Sequence, residues 1–228
     1  MTNTVIAIDG PGGVGKSTLA RGLAGKLGYL YLDTGALYRA VGLKVYHLGM
    51  EADKLEEKKI AFILKRTVVS LKLVDNEQKT FLEGVDVSAE IRKPVISRYA
   101  SAVSQLPVVR KYLLDYQRER GKEGGIVAEG RDIGTVIFPD AELKFFVTAD
   151  PEIRARRRYL ELSGKGHKQS LEKVLREIND RDRADRTREH APLKQAEDAI
   201  LLDTSDLDEQ GVLNLALDFI QKEKLLGL

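Results

Sequence analysis

Apolar positions along this chain follow two alternating patterns. Short, nearly continuous apolar runs recur at Val5-Ile6-Ala7-Ile8, Tyr29-Leu30-Tyr31-Leu32, Gly125-Ile126-Val127-Ala128, Leu143-Lys144-Phe145-Phe146-Val147 and Ala199-Ile200-Leu201-Leu202, and these read as core strands. Between them the period changes to that of a helix. Leu19, Leu23 and Leu27 recur with Gly28 as a stop, and Leu37, Tyr38, Val41, Val45 and Leu48 follow the second strand. The last helix runs from Leu207, with Val212, Leu215, Phe219 and Leu225 as its apolar face. Strands alternating with helices predict an α/β fold.

One segment breaks the alternation. Across 67–86, Val68, Ser70, Lys72 and Val74 keep one parity and Val69, Leu71 and Leu73 the other. Asp75-Asn76-Glu77 signals a turn before Thr80-Phe81-Leu82. This predicts a hairpin or small antiparallel sheet inserted into the α/β pattern. A helical stretch then opens at Ser88, is interrupted by Pro94 and continues through Val95, Tyr99, Ala102 and Val103. Pro107 suits the first turn of the next helix, with Val108, Tyr112, Leu113 and Tyr116 as apolar positions.

The strongest chemical signal is Gly10-Pro11-Gly12-Gly13-Val14-Gly15-Lys16-Ser17-Thr18, which reads G-x-x-x-x-G-K-S between a strand and a helix. Glycines let the backbone turn and approach an anion, and the amides at the start of the following helix point at it. Lys16 reaches β- and γ-phosphates, and Ser17 offers a hydroxyl to Mg²⁺. The chain is therefore expected to handle a nucleoside triphosphate.

Three further stretches carry candidate chemistry. Asp33-Thr34-Gly35 follows the second strand; either polar residue can cap the next helix, or serve a ligand at the strand end. Arg39, placed in the first turn of that helix, opposes the helix dipole and is a candidate phosphate clamp or a solvated side chain. Glu129-Gly130-Arg131-Asp132-Ile133-Gly134 ends the third strand in acid, a context in which a carboxylate can hold Mg²⁺ directly or through water. Arg154, Arg156, Arg157 and Arg158, then Arg176, Arg181, Arg183, Arg186 and Arg188, flank a Ser163-Gly164-Lys165-Gly166 turn, with acids interleaved. They describe either a solvated ion-paired face or a phosphate-kinase lid. His47, His167 and His190 share no ligand spacing.

Composition narrows the reading. With 37 basic against 35 acidic side chains, no global field favours nucleic acid. There is no cysteine, so no disulfide framework and no thiolate zinc site. The sequence shows neither a signal-type opening nor an apolar run long enough to span a membrane, and the expected location is the cytoplasm.

Nearly the whole chain resembles the bacterial cytidylate kinases, which are nucleoside monophosphate kinases. The resemblance rests on Gly10 to Thr18, on Asp33-Thr34-Gly35-Ala36-Leu37-Tyr38-Arg39, on Glu129 through Val136, and on Arg181-Asp182-Arg183-Ala184-Asp185-Arg186 followed by Ala191-Pro192-Leu193. It implies a P-loop three-layer sandwich in one domain over 1–228: a five-stranded parallel sheet, a monophosphate-binding insertion over 60–105 containing the small antiparallel sheet, and an arginine-rich helical lid over 154–188. It implies transfer of the γ-phosphoryl group of ATP to CMP and dCMP with Mg²⁺, no nucleic-acid or membrane partner, and a monomer. Carried over residue by residue, Gly10 to Thr18 bind ATP. Thr34 and Arg39 belong to the monophosphate site. Ser101, Arg110 and Asp132 read the cytosine edge. Arg181 and Asp185 hold the pentose hydroxyls, and Arg39, Arg131 and Arg188 clamp the acceptor phosphate. Lys16, Arg131, Arg157 and Arg188 are the catalytic set, with Arg157 in the lid reaching the ATP side. Ser17 is the metal ligand, with Asp33 or Glu129 acting through water. Position 129 departs from the family, which more commonly carries aspartate there.

Overall fold

A computed structural model of the chain describes residues 4–75, 77–164 and 166–222. The expected turn residue Asn76, the lid-turn residue Lys165 and the last-helix residue Leu225 lie outside the described residues. The chain divides into two compact units, Met1–Tyr31 with Glu123–Leu228, and Leu32–Lys122.

The first unit is built on the parallel sheet. β1 (Val5–Asp9), β6 (Ile126–Gly130), β7 (Leu143–Thr148) and β8 (Ile200–Asp203) lie with β2 (Leu30–Asp33) in the order β2-β6-β1-β7-β8; Leu30 and Tyr31 of β2 end the first stretch of this unit, and its Leu32 and Asp33 begin the second unit. β1 is the centre, parallel to β6 with Ile8 opposite Glu129, and parallel to β7 with Ile8 opposite Phe145. Every residue of β1 and β6 is buried, as in strands covered on both faces, and this gives the expected three layers. One face is covered by α1 (Lys16–Leu27) and α8 (Glu209–Lys222): Leu19, Leu23, Val212, Ala216 and Ile220 pack on Ile6, Ile8, Val127, Phe145 and Leu202. The last helix thus starts at Glu209, two residues beyond the expected Leu207. α6 (Pro151–Gly164) and α7 (Leu171–Thr187) form a helical pair with its own small core of Ala155, Leu162 and Val174.

The second unit holds α2 (Thr34–His47), α3 (Glu57–Leu64), α4 (Pro94–Val103), α5 (Pro107–Gly121) and the small antiparallel sheet of β3 (Val69–Val74), β4 (Glu77–Leu82) and β5 (Val85–Asp86). In this sheet Leu71 pairs with Thr80 and Phe81 with Asp86. The outer edge of β3 is met by side chains of α5: the Leu71 N–H donates to the Tyr116 hydroxyl at 2.7 Å, and Arg120 donates to the Leu71 carbonyl. Pro94 does not interrupt a helix begun at Ser88. It opens α4, and only a short 3₁₀ turn, Glu90–Arg92, precedes it. The reason is that proline lacks the N–H that a helix interior needs but the first helical position does not.

Candidate active site

β1 delivers the chain into the glycine loop, Gly10–Gly15, and α1 leaves from it. Gly10 has φ +149°, and a Cβ there would stand 2.1 Å from the Val147 carbonyl oxygen, so only glycine can make this turn. Gly15 caps α1 with no side-chain hydrogen bond, which leaves the first-turn amides directed into the loop. Lys16 is buried and its Nζ donates to the Pro11 carbonyl at 2.6 Å. Burial, and next the charge of Arg131, pull its ammonium down to about 7, against an opposing pull from Glu129. Such a lysine gains most when an anion arrives to hold its charge.

The turn after β6 brings a second set of groups beside this loop. Arg131 lies against it: its Nη2 is 3.6 Å from where a Cβ on Gly12 would stand. Arg131 Nε donates to Asp185 Oδ2 on α7 at 2.8 Å. Burial acts to lower Arg131, but Asp185 outweighs it and the guanidinium is held further toward its charged form. Burial likewise acts to raise Asp185, and Arg131, Arg181 and Arg188 outweigh it, so its carboxyl is held below the ordinary range. Arg188 donates from Nη2 to Asp132 Oδ1 at 3.3 Å and from Nε to the Ala191 carbonyl at 2.7 Å. The Arg188 and Asp132 side chains are each only 5 % exposed, so this pair is well shielded from water. Glu129 on β6 is buried and its Oε1 accepts from the Tyr31 hydroxyl.

Two residues of α6 serve the other flank of the loop. Arg154 is 2 % exposed and donates to the Gly12 carbonyl at 3.0 Å, to the Ala149 carbonyl at 3.0 Å and to Asp182 Oδ2 of α7 at 2.7 Å. Arg157 donates to the Thr204 carbonyl at 2.7 Å and the Leu207 carbonyl at 3.2 Å. It lines a cavity of about 280 Å³ beside the loop, together with Gly15, Thr18, Leu19, Leu207 and Val212.

In the second unit, Asp33 caps α2, accepting from the Ala36 N–H at 2.9 Å through Oδ1 and from Arg92 at 2.7 Å through Oδ2. Arg39 lies one turn further along α2 than expected, in its second turn, so the argument from the helix dipole does not apply to it. Its Nη1 donates to Ser97 Oγ at 2.9 Å and to the Ile91 carbonyl at 3.3 Å. Thr34 is buried in the first turn of α2. On α4 the Ser101 carbonyl accepts from Ser104 Oγ, and on α5 Arg110 donates to the Ser104 carbonyl with its guanidinium 5.7 Å from the centre of the Tyr38 ring.

The model of the family described as "Cytidylate kinase" matches residues 6–222. The chain belongs to the cytidylate kinase family. It is 50 % identical over 217 residues to the cytidylate kinase of Caldicellulosiruptor bescii, with 95 % of each chain covered. It is 47 % identical over 220 residues to that of Syntrophotalea carbinolica, covering 96 % of this chain and 93 % of that one. A solved structure, an uncharacterized protein from Eubacterium ventriosum, aligns with TM-score 0.55 at 13 % identity over 97 % of this chain and 99 % of that one, a likeness of fold.

Of the residues expected at the site of this cytidylate kinase family member, the first unit gathers Lys16, Arg131, Asp132, Asp185 and Arg188 around the glycine loop and the turn beside it. Arg181 joins them through its charge, felt at both Lys16 and Asp185. The second unit holds Thr34, Arg39, Ser101 and Arg110 on α2, α4 and α5. Sequence reasoning gave no role to Asp9, and none of their own to Arg154 and Asp182 within the charged run and the motif that contain them. In the sequence Asp9 is one more acid at a strand end, and Arg154 and Asp182 are indistinguishable from their charged neighbours. For a divalent metal, Ser17 offers a hydroxyl on α1 and Glu129 a buried carboxylate felt by Lys16, whereas Asp33 commits both oxygens to its cap and to Arg92. This hard-oxygen donor set fits Mg²⁺. Among the described residues no three acidic, histidine or cysteine side chains form a metal cage. No described helix is long and apolar enough to cross a membrane.

Proposed function

We propose that the protein transfers the γ-phosphoryl group of ATP to CMP, and to dCMP, giving ADP and CDP or dCDP. The carrying observation is the chain of ion pairs Arg131–Asp185 and Arg188–Asp132 set beside a glycine loop that holds a buried lysine. Phosphoryl transfer between two polyanions needs both held in line, their charge neutralised and water excluded. The loop amides and Lys16 hold the donor phosphates. Arg39, Arg131 and Arg188 hold the acceptor phosphate, whose attacking oxygen is already ionised at neutral pH, so no general base is required. Ser101, Arg110 and Asp132 read the base, Arg181 and Asp185 the pentose, and Thr34 supports the monophosphate site. Arg157, lining the cavity beside the loop, serves the ATP side. When bound on Ser17, with Glu129 through water, Mg²⁺ supplies charge neutralisation at the donor phosphates.

Residues 60–105 act in this reading as the monophosphate-binding insertion and 154–188 as the lid, in one catalytic domain that works as a cytoplasmic monomer. The test is ADP formation from ATP and Mg²⁺ with CMP, dCMP, UMP, AMP, GMP or shikimate beside a control without acceptor. Selective stimulation by CMP and dCMP supports the reading; stimulation by another acceptor alone overturns the base-site assignments, and equal rates with and without every acceptor overturn the kinase itself.

A further inference from the structure

Asp9 is the last residue of β1 and is 4 % exposed, a carboxylate in the middle of the sheet to which the mechanism above gives no task. Its two oxygens are divided between two consecutive amides: Oδ1 accepts from the Ile133 N–H and Oδ2 from the Gly134 N–H, each at 2.8 Å. Two acceptors on adjacent amides fix both the position and the tilt of that piece of backbone. Directly before it stand Arg131 and Asp132. The amides belong to a single wide turn, Ile133–Ile137, for which Asp132 is the preceding residue.

The far side of this turn is pinned as well. A Cβ on Gly134 would lie 3.0 Å from Lys144 Cδ and 3.5 Å from Asp9 Oδ2, so the backbone sits against both side chains. The Lys144 ammonium donates to the Pro139 carbonyl just beyond the turn and pairs with Asp198 at 2.7 Å.

We infer that Asp9 is a positioning residue for acceptor choice: its carboxylate holds the turn at Ile133 and Gly134 so that Asp132 presents its side chain to the acceptor base. The inference rests on the reading in which Asp132 recognises cytosine. Asp9 adjoins the donor loop and its charge is felt at Lys16, but both of its hydrogen bonds go to the turn that follows Asp132. Asparagine at position 9 keeps one acceptor oxygen and turns an N–H₂ toward an N–H; alanine removes both acceptors. The loss of each charged hydrogen bond is worth about tenfold or more.

The experiment measures kcat/KM for CMP and for UMP, and KM for ATP, in the wild type, Asp9→Asn and Asp9→Ala. The expected result is a CMP-over-UMP preference reduced about tenfold in Asp9→Asn and about a hundredfold in Asp9→Ala, with KM for ATP within about twofold. Amide exchange at Ile133 and Gly134 is expected to quicken in the same order. A fall in the fraction of folded enzyme lowers both rates together and leaves the preference intact, so the ratio isolates positioning from stability. Should Asp9→Ala not fold, the near-isosteric Asp9→Asn carries the test. A selective wild type whose preference survives in the variants overturns the role of Asp9 alone; a wild type indifferent to the base overturns the reading of Asp132 and the inference with it.

Discussion

Arg154 ties the glycine loop to α7. Its guanidinium is buried and serves the Gly12 carbonyl of the glycine loop, the Ala149 carbonyl and the Asp182 carboxylate of α7. Replacing it with methionine keeps much of the stem but leaves an acid with an 11 % exposed side chain facing an apolar group. Breaking a buried ion pair from one side costs about 3–5 kcal/mol, and each abandoned carbonyl adds about 1 kcal/mol. Arg154→Met should therefore destabilise the first unit by about 5–7 kcal/mol, a large part of a domain's usual margin. Asp182→Asn removes the charge but keeps an acceptor and should cost about 1–2 kcal/mol. With both changes no uncompensated acid remains, so the double variant should be more stable than the sum predicts by about 2–3 kcal/mol. Native-state amide exchange in β1 and β6 reads the opening of this unit directly. A coupling below about 0.5 kcal/mol, the scatter expected of independent sites, would refute the claim that the pair is one buried unit.

Lys16→Ala should lower turnover at least about a hundredfold, as loss of a preorganised charge at the reacting phosphates does, with an unchanged circular dichroism spectrum; retained turnover would remove the loop from the mechanism. Asp132→Ala should lose most activity on CMP while ATP binding, read by calorimetry, persists, and an unchanged kcat/KM for CMP would sink the assignment. The pH dependence of stability carries a signature of Asp9, which burial lifts from 3.8 to about 6. Between these values the folded chain holds a proton that the unfolded chain has released, so Asp9 favours folding increasingly as pH falls through 6 toward 4. The full gap is worth about 3 kcal/mol. The stability of the wild type minus that of Asp9→Asn should accordingly be about 2 kcal/mol more favourable at pH 4.5 than at pH 7.5, and a flat or opposite trend would show that Asp9 is not held in this way.

The elements that sequence made legible are those whose cause is local. β1, β6, β7 and β8 announce themselves as apolar runs, and the glycine loop by a spacing that its own backbone conformation demands. A cap at Asp33 or Thr34 was legible because capping is settled within three residues, and the structure assigns it to Asp33. Pro94 was misread because the same ring forbids a helix interior and favours a helix start; what decides is whether the helix begins there. Arg39 was misplaced by a turn because the cap at Asp33 counts it as the sixth residue of α2. The tasks of Asp9 and Arg154 rest on partners more than a hundred residues away, at Ile133, Gly134 and Gly12. No local pattern distinguishes such residues from other acids at strand ends or other arginines in a charged helix.

The side chains that meet β3 bear on how the chain behaves in company. A sheet edge with free amides and carbonyls is a template for another molecule's strand. In the small sheet one edge belongs to β5, only two residues long, which offers little to copy. The other has the amide and carbonyl of Leu71 already occupied by Tyr116 and Arg120. A two-residue stub on one flank and side chains of a helix over the middle of the other leave a second strand less to copy beside the exposed Leu73 and Val85.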